Sequence, residues 1–380
     1  MEIVRHLVER VGCRWAGRSA TAEAAAYLIE QFSGLDIQVR RQDFPFLGWE
    51  VDREPELEIL EPERMSASVA LMEYSGSTPE NGVQGYLHEA GTADIVPGFL
   101  EWPQYALVSD SGSVVAYLIV HIGLSGWEAS PIPLRNPEPL INFPMAILAE
   151  DDHRRIKSWI DRGKKVRASF IAQGHPEAPL WGHNVVATLP GASDRSLVFC
   201  AHLDTAYNTP GANNNAGGIQ ALYDLAVKLV QKKERLLTYH FLVCDACEWG
   251  FLGSHYFLRE AKREGRFDSI LAGINIDTVA SGDRFYFLSW PETMRRRAER
   301  VVERLNLRRR FKHVEFLGRL AGSDHYAFLE AGLPAAEILF WPCPVYKLSE
   351  DDIQHIDEDL IGRSTEIAFA LAQTFEEEPS

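Results

Sequence analysis

Long apolar runs are missing from this 380-residue chain. The longest, VVAYLIVHI at 114–122, is too short to span a bilayer. The opening MEIVRHLVERVG is charged and amphipathic, without the unbroken apolar centre of a secretory signal. Cysteine is scarce: there are five, an odd number with no disulfide-framework spacing. A reducing cytoplasm is therefore the expected location. Positive charge is also in deficit, with 38 Lys and Arg against 54 Asp and Glu for a net −16. That balance argues against nucleic acid or an anionic membrane surface as a partner. The arginine runs at 295–300 and 308–310 read as a solvated helix face and loop. No internal repeat is visible.

What remains is an ordinary globular composition, 46% hydrophobic and 24% charged, long enough for two domains. Alanine-rich 22–32 predicts a helix, and the alternation over 37–44 predicts a strand. Near residue 50 the composition shifts. From 51 to 179 short apolar runs, among them 68–74, 84–88, 105–108, 114–121, 146–149 and 166–172, are separated by Gly, Pro, Ser and Asn. A helix is expected over 151–161 and a proline-rich extended loop over 131–144. This stretch reads as a β-rich insert between two parts of one domain, 1–50 and 180–380. From residue 183 strands alternate with helices: strands at 184–189, 197–201, 237–243, 270–276, 285–288 and 335–340, helices at 215–230, 251–262, 292–305, 324–330 and 359–375. In the 215–230 helix Ile219, Leu222, Ala226 and Leu229 form one apolar face. The expected fold is an α/β three-layer sandwich with a mostly parallel central sheet.

Phe199–Thr278 organises that domain. It holds FCAHLDT, PGANNNAGG, VCDACEWGFLGS and GINIDT, each polar cluster following an apolar run or a glycine-rich turn. In an open α/β sheet the C-terminal ends of strands converge on one edge, where ligand sites form. His202, Asp204, Asn214, Cys247, Glu248 and Asp277 are therefore expected to meet. His, Asp and Glu suit a metal site, whereas the Asn and Cys do not. Cys244 and Cys247 have redox-dithiol spacing, but Cys244 lies in an apolar run and reads as a small buried hydrophobe. Cys247 could act as a nucleophile with His202 or His325 as base.

These segments, with GCRWAGRSATAEAAAYLI near the start, HNVVATLPGA at 183–192, GSDHYAF at 322–328 and YKLSEDDIQHID at 346–357, resemble in order and spacing the M28 zinc aminopeptidases. That family also includes glutaminyl cyclases. The insert resembles a protease-associated domain. The resemblance implies removal of N-terminal residues from peptides by a two-zinc centre, with a peptide or amino-acid derivative as partner. It implies that His202, Glu248 and Asp277 stand at metal-ligand positions and that Asp204 orients His202. Asp324 and His325 would shape the pocket, and Trp249 would line the cleft or pack under the following helix. At the bridging Asp position stands Asn214, at the general-base Glu position Cys247, and at the last His ligand Lys347. Each change works against the metal. An amide offers one neutral oxygen. A thiol with a reference pKa of about 8.5 is mostly protonated. An ammonium puts positive charge where a cation would sit. Glu248 and Asp277 supply two negative charges and Lys347 returns one, so two zinc ions would leave the site strongly positive. The expectation is a non-catalytic or weakly active peptidase-like protein that still binds peptide ends, its Lys347 paired with Glu248 or Asp277. The alternatives are a hydrolase rebuilt on Cys247, and an intact zinc peptidase in which His355 or His325 supplies the missing ligand.

Overall fold

The computed structural model describes residues 1–72, 74–96, 100–122 and 143–378. Nearly all of the proline-rich loop expected over 131–144 lies outside them. The chain divides into two compact units, Met1–Phe46 with Trp181–Ser380, and Leu47–Leu180. Two long strands, Gln38–Glu61 and Arg167–Leu189, contribute residues to both.

In the first unit the strand order is His313–Leu317, Arg284–Trp290, Ala335–Trp341, Ile270–Ile276, Ser196–His202, Thr238–Cys244 and the end of Arg167–Leu189. Alternate residues of the central strands enter different cores. Leu197, Phe199, Ala201, Tyr239, Phe241 and Val243 pack with the helices Ser19–Ser33, Gly217–Val230 and Glu358–Glu377. Val198, Cys200, Leu242 and Cys244 pack with Leu252–Arg263 and His325–Glu330. Helices thus cover both faces, and strands buried on both sides read as continuous apolar runs.

The sheet is mixed, not mostly parallel as expected from the sequence. Ser196–His202 runs parallel to both Thr238–Cys244 and Ile270–Ile276, and Ile270–Ile276 runs parallel to Ala335–Trp341. Arg284–Trp290 is antiparallel to Ala335–Trp341, and Arg167–Leu189 is antiparallel to Thr238–Cys244. Connection length explains both reversals. Only residues 277–283 separate Ile276 from Arg284, and only 190–195 separate Leu189 from Ser196. A parallel return needs a crossover of about a dozen residues or more.

The second unit is mostly an antiparallel ladder. Arg167–Leu189 pairs with Val83–Val96, which pairs with Leu100–Val108, which pairs with Val114–His121. Met145–Ala149 then joins parallel to Val114–His121, and Val69–Leu71 joins it antiparallel. The strand expected over 68–74 is therefore shorter, and Tyr74 turns with a φ of +62°. The helix Glu150–Asp161 carries three acidic residues in its first turn, where they complement the exposed N–H groups.

Candidate functional site

Three adjacent parallel strands end side by side. His202 closes Ser196–His202, Asp277 follows Ile276, and Cys247 and Glu248 follow Cys244 by three and four positions. The Asn214 turn and the loop after Trp341 bring in the rest.

His202 is 1% exposed. Its Nδ1 lies 2.9 Å from the backbone oxygen of Asp204, and its Nε2 lies 3.0 Å from Asn214 Oδ1 and 3.4 Å from Asp277 Oδ1. Burial works against the imidazolium, but Asp277 and Asp204 outweigh it and raise the pKa well above the ordinary histidine value. The protonated ring donates from both nitrogens. The Asp277 carboxyl is held below its usual range, since burial is overcome by His202 and by the Ser323 and Thr278 hydroxyls.

Asn214 is fixed between a donor and an acceptor. Its Oδ1 faces His202, and its Nδ2 donates to Glu248 Oε1 at 3.1 Å. The other oxygen of Glu248 pairs with the Lys347 ammonium. Of the two carboxylates proposed as Lys347 partners, the structure selects Glu248. Both side chains are sequestered, at 9% exposed for Lys347 and 6% for Glu248. Burial opposes ionisation of Glu248, yet Lys347 and then His202 hold its pKa below the ordinary value. Lys347 adopts a left-handed φ of +59°, uncommon for a residue with a Cβ.

Asp204 acts mainly elsewhere than on the His202 ring. Its carboxylate accepts the backbone N–H groups of Cys247 and Glu248, each at 2.9 Å, and lies 3.6 Å from His202 Nδ1. It therefore sets the turn that presents Glu248. Cys247 points away from the ion pair toward Ser323, with Sγ to Oγ at 3.7 Å, and packs with Cys244 and Phe251. Burial pushes its thiol well up, and the carboxylates of Asp324, Asp204, Asp277 and Glu248 add to the effect. Among the described residues no histidine is hydrogen-bonded to it; its partner is the Ser323 hydroxyl.

Asp324 is fully buried beside Ser254 and Cys247, and neither carboxylate oxygen has a well-formed hydrogen bond. Burial pushes its pKa up to about 6. His325 contacts the Leu320 carbonyl at 2.9 Å and Glu337 at 2.7 Å, and exposed His355 contacts Asp352 at 3.0 Å. Neither replaces the side chain at 347. Trp249 is buried against Trp15 and Phe46.

Several organising residues escaped the sequence reading. The three asparagines of 213–215 have separate tasks: Asn213 accepts from Ala280 N–H, Asn214 bridges His202 and Glu248, and Asn215 donates to the Ile276 carbonyl. These tasks draw Asn214 and Asn215 off helical geometry, so the regular helix begins at Gly217 rather than at 215. A side chain at Gly218 would meet Asn215 and the Ile276 carbonyl at 2.2 and 2.4 Å. Asp351 accepts the N–H groups of Asn213 and Asn214 at 2.8 and 3.0 Å. Burial raises its pKa to about 6 despite those bonds. Arg14, also fully buried, donates to the carbonyls of Leu203, Leu7, Gly12, Pro210 and Gly211. Asp351 lies inside a motif singled out for Lys347, and Arg14 inside the first, so the signal was present but the roles were not.

A model of peptidase family M28 matches residues 184–372. Aminopeptidase YwaD of Bacillus subtilis is 24% identical over 403 residues, spanning 97% of this chain and 82% of that protein. The solved zinc aminopeptidase from Bacillus subtilis superposes with a TM-score of 0.72 at 18% identity, covering 99% of this chain and 93% of its own. A peptidase M28 precursor from Shewanella amazonensis superposes with a TM-score of 0.76 at 18% identity, covering 98% and 91%. The fold is the mixed α/β fold of those structures, and with the motifs, their order and the family model in agreement, residues 184–372 belong to peptidase family M28.

Proposed function

We propose that this chain is an aminopeptidase relative whose zinc-centre position is taken by its own side chains. It does not hydrolyse peptides by a two-zinc mechanism, and it retains a cleft for a peptide end or an amino-acid derivative. One observation carries the reading: both oxygens of Glu248 are engaged by N–H donors, the Lys347 ammonium and the Asn214 amide. A zinc ligand must turn a lone pair toward the metal, and here each Glu248 oxygen is turned toward an N–H donor, one of them an ammonium that repels a cation. The ammonium supplies the positive charge that buried carboxylates require. The donor set present does not fit a dinuclear zinc centre. Among the described residues no group of three or more His, Cys, Asp or Glu side chains is arranged to hold a metal ion.

The test has two arms. Protein purified without chelator is expected to contain far less than one zinc per chain and to leave aminoacyl-anilides uncleaved. The triple substitution Asn214→Asp, Cys247→Glu and Lys347→His is expected to gain zinc by metal analysis. Stoichiometric zinc with anilide turnover in the parent protein would overturn the reading. Failure of the triple variant to take up zinc, with its fold intact, would show that these positions are not the centre. Thermal-shift titration with leucinamide tests retained recognition, which an unchanged melting point at millimolar ligand would remove.

A further inference from the structure

A second concavity uses none of the residues described above. It has a volume of about 480 Å³ and is lined in part by Arg40, Val186, Thr188, His240, Glu264 and Arg266. Its floor lies on the sheet. His240 is paired in register with Thr188, and Leu242 with Val186. All four point to the face that carries the Leu242 and Val186 core. The helix Leu252–Arg263 packs on that face further along, and its closing turn supplies Glu264 and Arg266 at the rim. Arg40 comes from the strand Gln38–Glu61.

The charges at this rim do not cancel. Arg266 pairs with Glu264 through Nε at 2.8 Å and through a second guanidinium nitrogen. Arg40 is exposed and, among the described residues, pairs with no carboxylate. Two guanidiniums against one carboxylate leave one positive charge in a chain of net −16. Both arginines act inside the cavity. Glu264 is held below its usual range first by Arg266 and then, in part, by Arg40. His240 is driven down to about 4, first by burial and then by Arg266 and Arg40. The His240 ring is thus neutral at pH 7, and with Nδ1 held 3.0 Å from the Thr188 hydroxyl it is a fixed polar group on the floor. Arginine forks suit phosphate and carboxylate oxygens, and the volume is within the range of small-molecule sites.

We propose that this cavity binds a small organic anion. Its phosphate or carboxylate oxygens bridge Arg40 and Arg266 in place of the Glu264 carboxylate, and its apolar part rests on Val186. The site is separate from the Lys347–Glu248 centre and holds whether or not that centre binds zinc.

Calorimetric titration at fixed ionic strength with inorganic phosphate, adenosine 5′-monophosphate and citrate tests this. At least one is expected to bind with submillimolar Kd, the phosphate and carboxylate probes identifying which oxyanion is preferred. Arg40→Gln and Arg266→Gln are each expected to weaken binding by about tenfold or more, and Glu264→Gln to tighten it by freeing Arg266. Arg309→Gln, an exposed arginine elsewhere, is the control and is expected to change nothing. In the unaltered protein, the bound anion is expected to raise the titration midpoint of the His240 ring followed by NMR. That readout keeps the test open if a variant fails to fold. No binding by any probe, or binding that Arg309→Gln weakens as much as Arg40→Gln does, overturns the proposal.

Discussion

Glu248 and Asp324 are two buried carboxylates at one strand-end cluster, and they titrate in opposite directions. Glu248 faces Lys347 and the Asn214 amide, and its pKa is held below the usual carboxylate range despite burial. Asp324 lies on the Cys247 and Ser254 side without a counter-cation in contact, and burial pushes it up to about 6. Depth does not separate them. What differs is whether donors converge on the oxygens, so the local partners, not the interior as such, decide which carboxylate carries its charge.

The largest expected effect comes from removing that difference. Lys347→Met leaves Glu248 with only the amide as a partner in the pair, and stability at pH 7 is expected to fall by about 3 kcal/mol, measured by urea denaturation. The depressed pKa of Glu248 means that the unfolded state binds more protons over its titration range. Its contribution is therefore present above about pH 4.5 and lost as pH falls, and the variant is expected to flatten this acid limb. A loss under about 0.5 kcal/mol would put the pair in the class of surface ion pairs.

Asp324→Asn acts with the opposite sign. A raised folded pKa means that the native state keeps a proton that the unfolded state has released, so stability falls as pH rises from about 4 through about 6. The variant is expected to gain on the order of 1–3 kcal/mol at pH 8 relative to its change at pH 4. Equal shifts at the two pH values would show that Asp324 does not titrate in this way. The raised pKa values of Asp245, about 7, and Asp351, about 6, contribute in the same direction and leave a residual slope.

Asn214→Asp alone sets a second carboxylate against Glu248 Oε1, now 3.1 Å from the amide nitrogen. A loss of about 1–2 kcal/mol at pH 7 is expected, recovering as the pair takes up a proton at lower pH. Increased stability at pH 7 would mean that protonated His202 outweighs the repulsion. The smallest effect concerns Cys247, whose thiol is expected to resist iodoacetamide at pH 7.5 in the folded protein and to react in urea, read by mass spectrometry. Rapid labelling of the native protein would reinstate it as a nucleophile.

Much of the scaffold was legible because its signals are local. The alanine-rich helix follows from propensity, the apolar face of Gly217–Val230 from periodicity, and the two-sided strands from continuous apolar runs. His202, Glu248, Asp277 and Lys347 were placed together by motif order, and the charge on Lys347 pointed to a carboxylate partner. Less could be read where the information is non-local. The strand His313–Leu317 is only five residues long, with His313 and Glu315 exposed, and is absent from the strands expected from the sequence. The orientation of the Asn214 amide depends on a donor at the end of one strand, His202, and an acceptor in the turn after another, Glu248. Strand direction is set by the short connections after Leu189 and Ile276, which the pattern within each strand does not reveal. Arg14 resembled any other charged residue because nothing local reveals five carbonyls contributed mostly by residues near 203–211.

Asp351 binds a turn more than a hundred residues earlier, through Asn213 and Asn214, and Arg14 binds the adjoining loop from the other end of the chain. The loops bearing His202 and Asn214 are therefore closed by contacts of very high sequence separation, whose loop entropy must be met before they stabilise anything. During synthesis Asp351 leaves the ribosome after the strands of the first unit but before the helix Glu358–Glu377, which packs in one core with Gly217–Val230. The Asn214 turn and that helix-covered face are consequently completed together and late, and a nascent chain lacking residues 351–377 would carry neither the anchored turn nor the covered face.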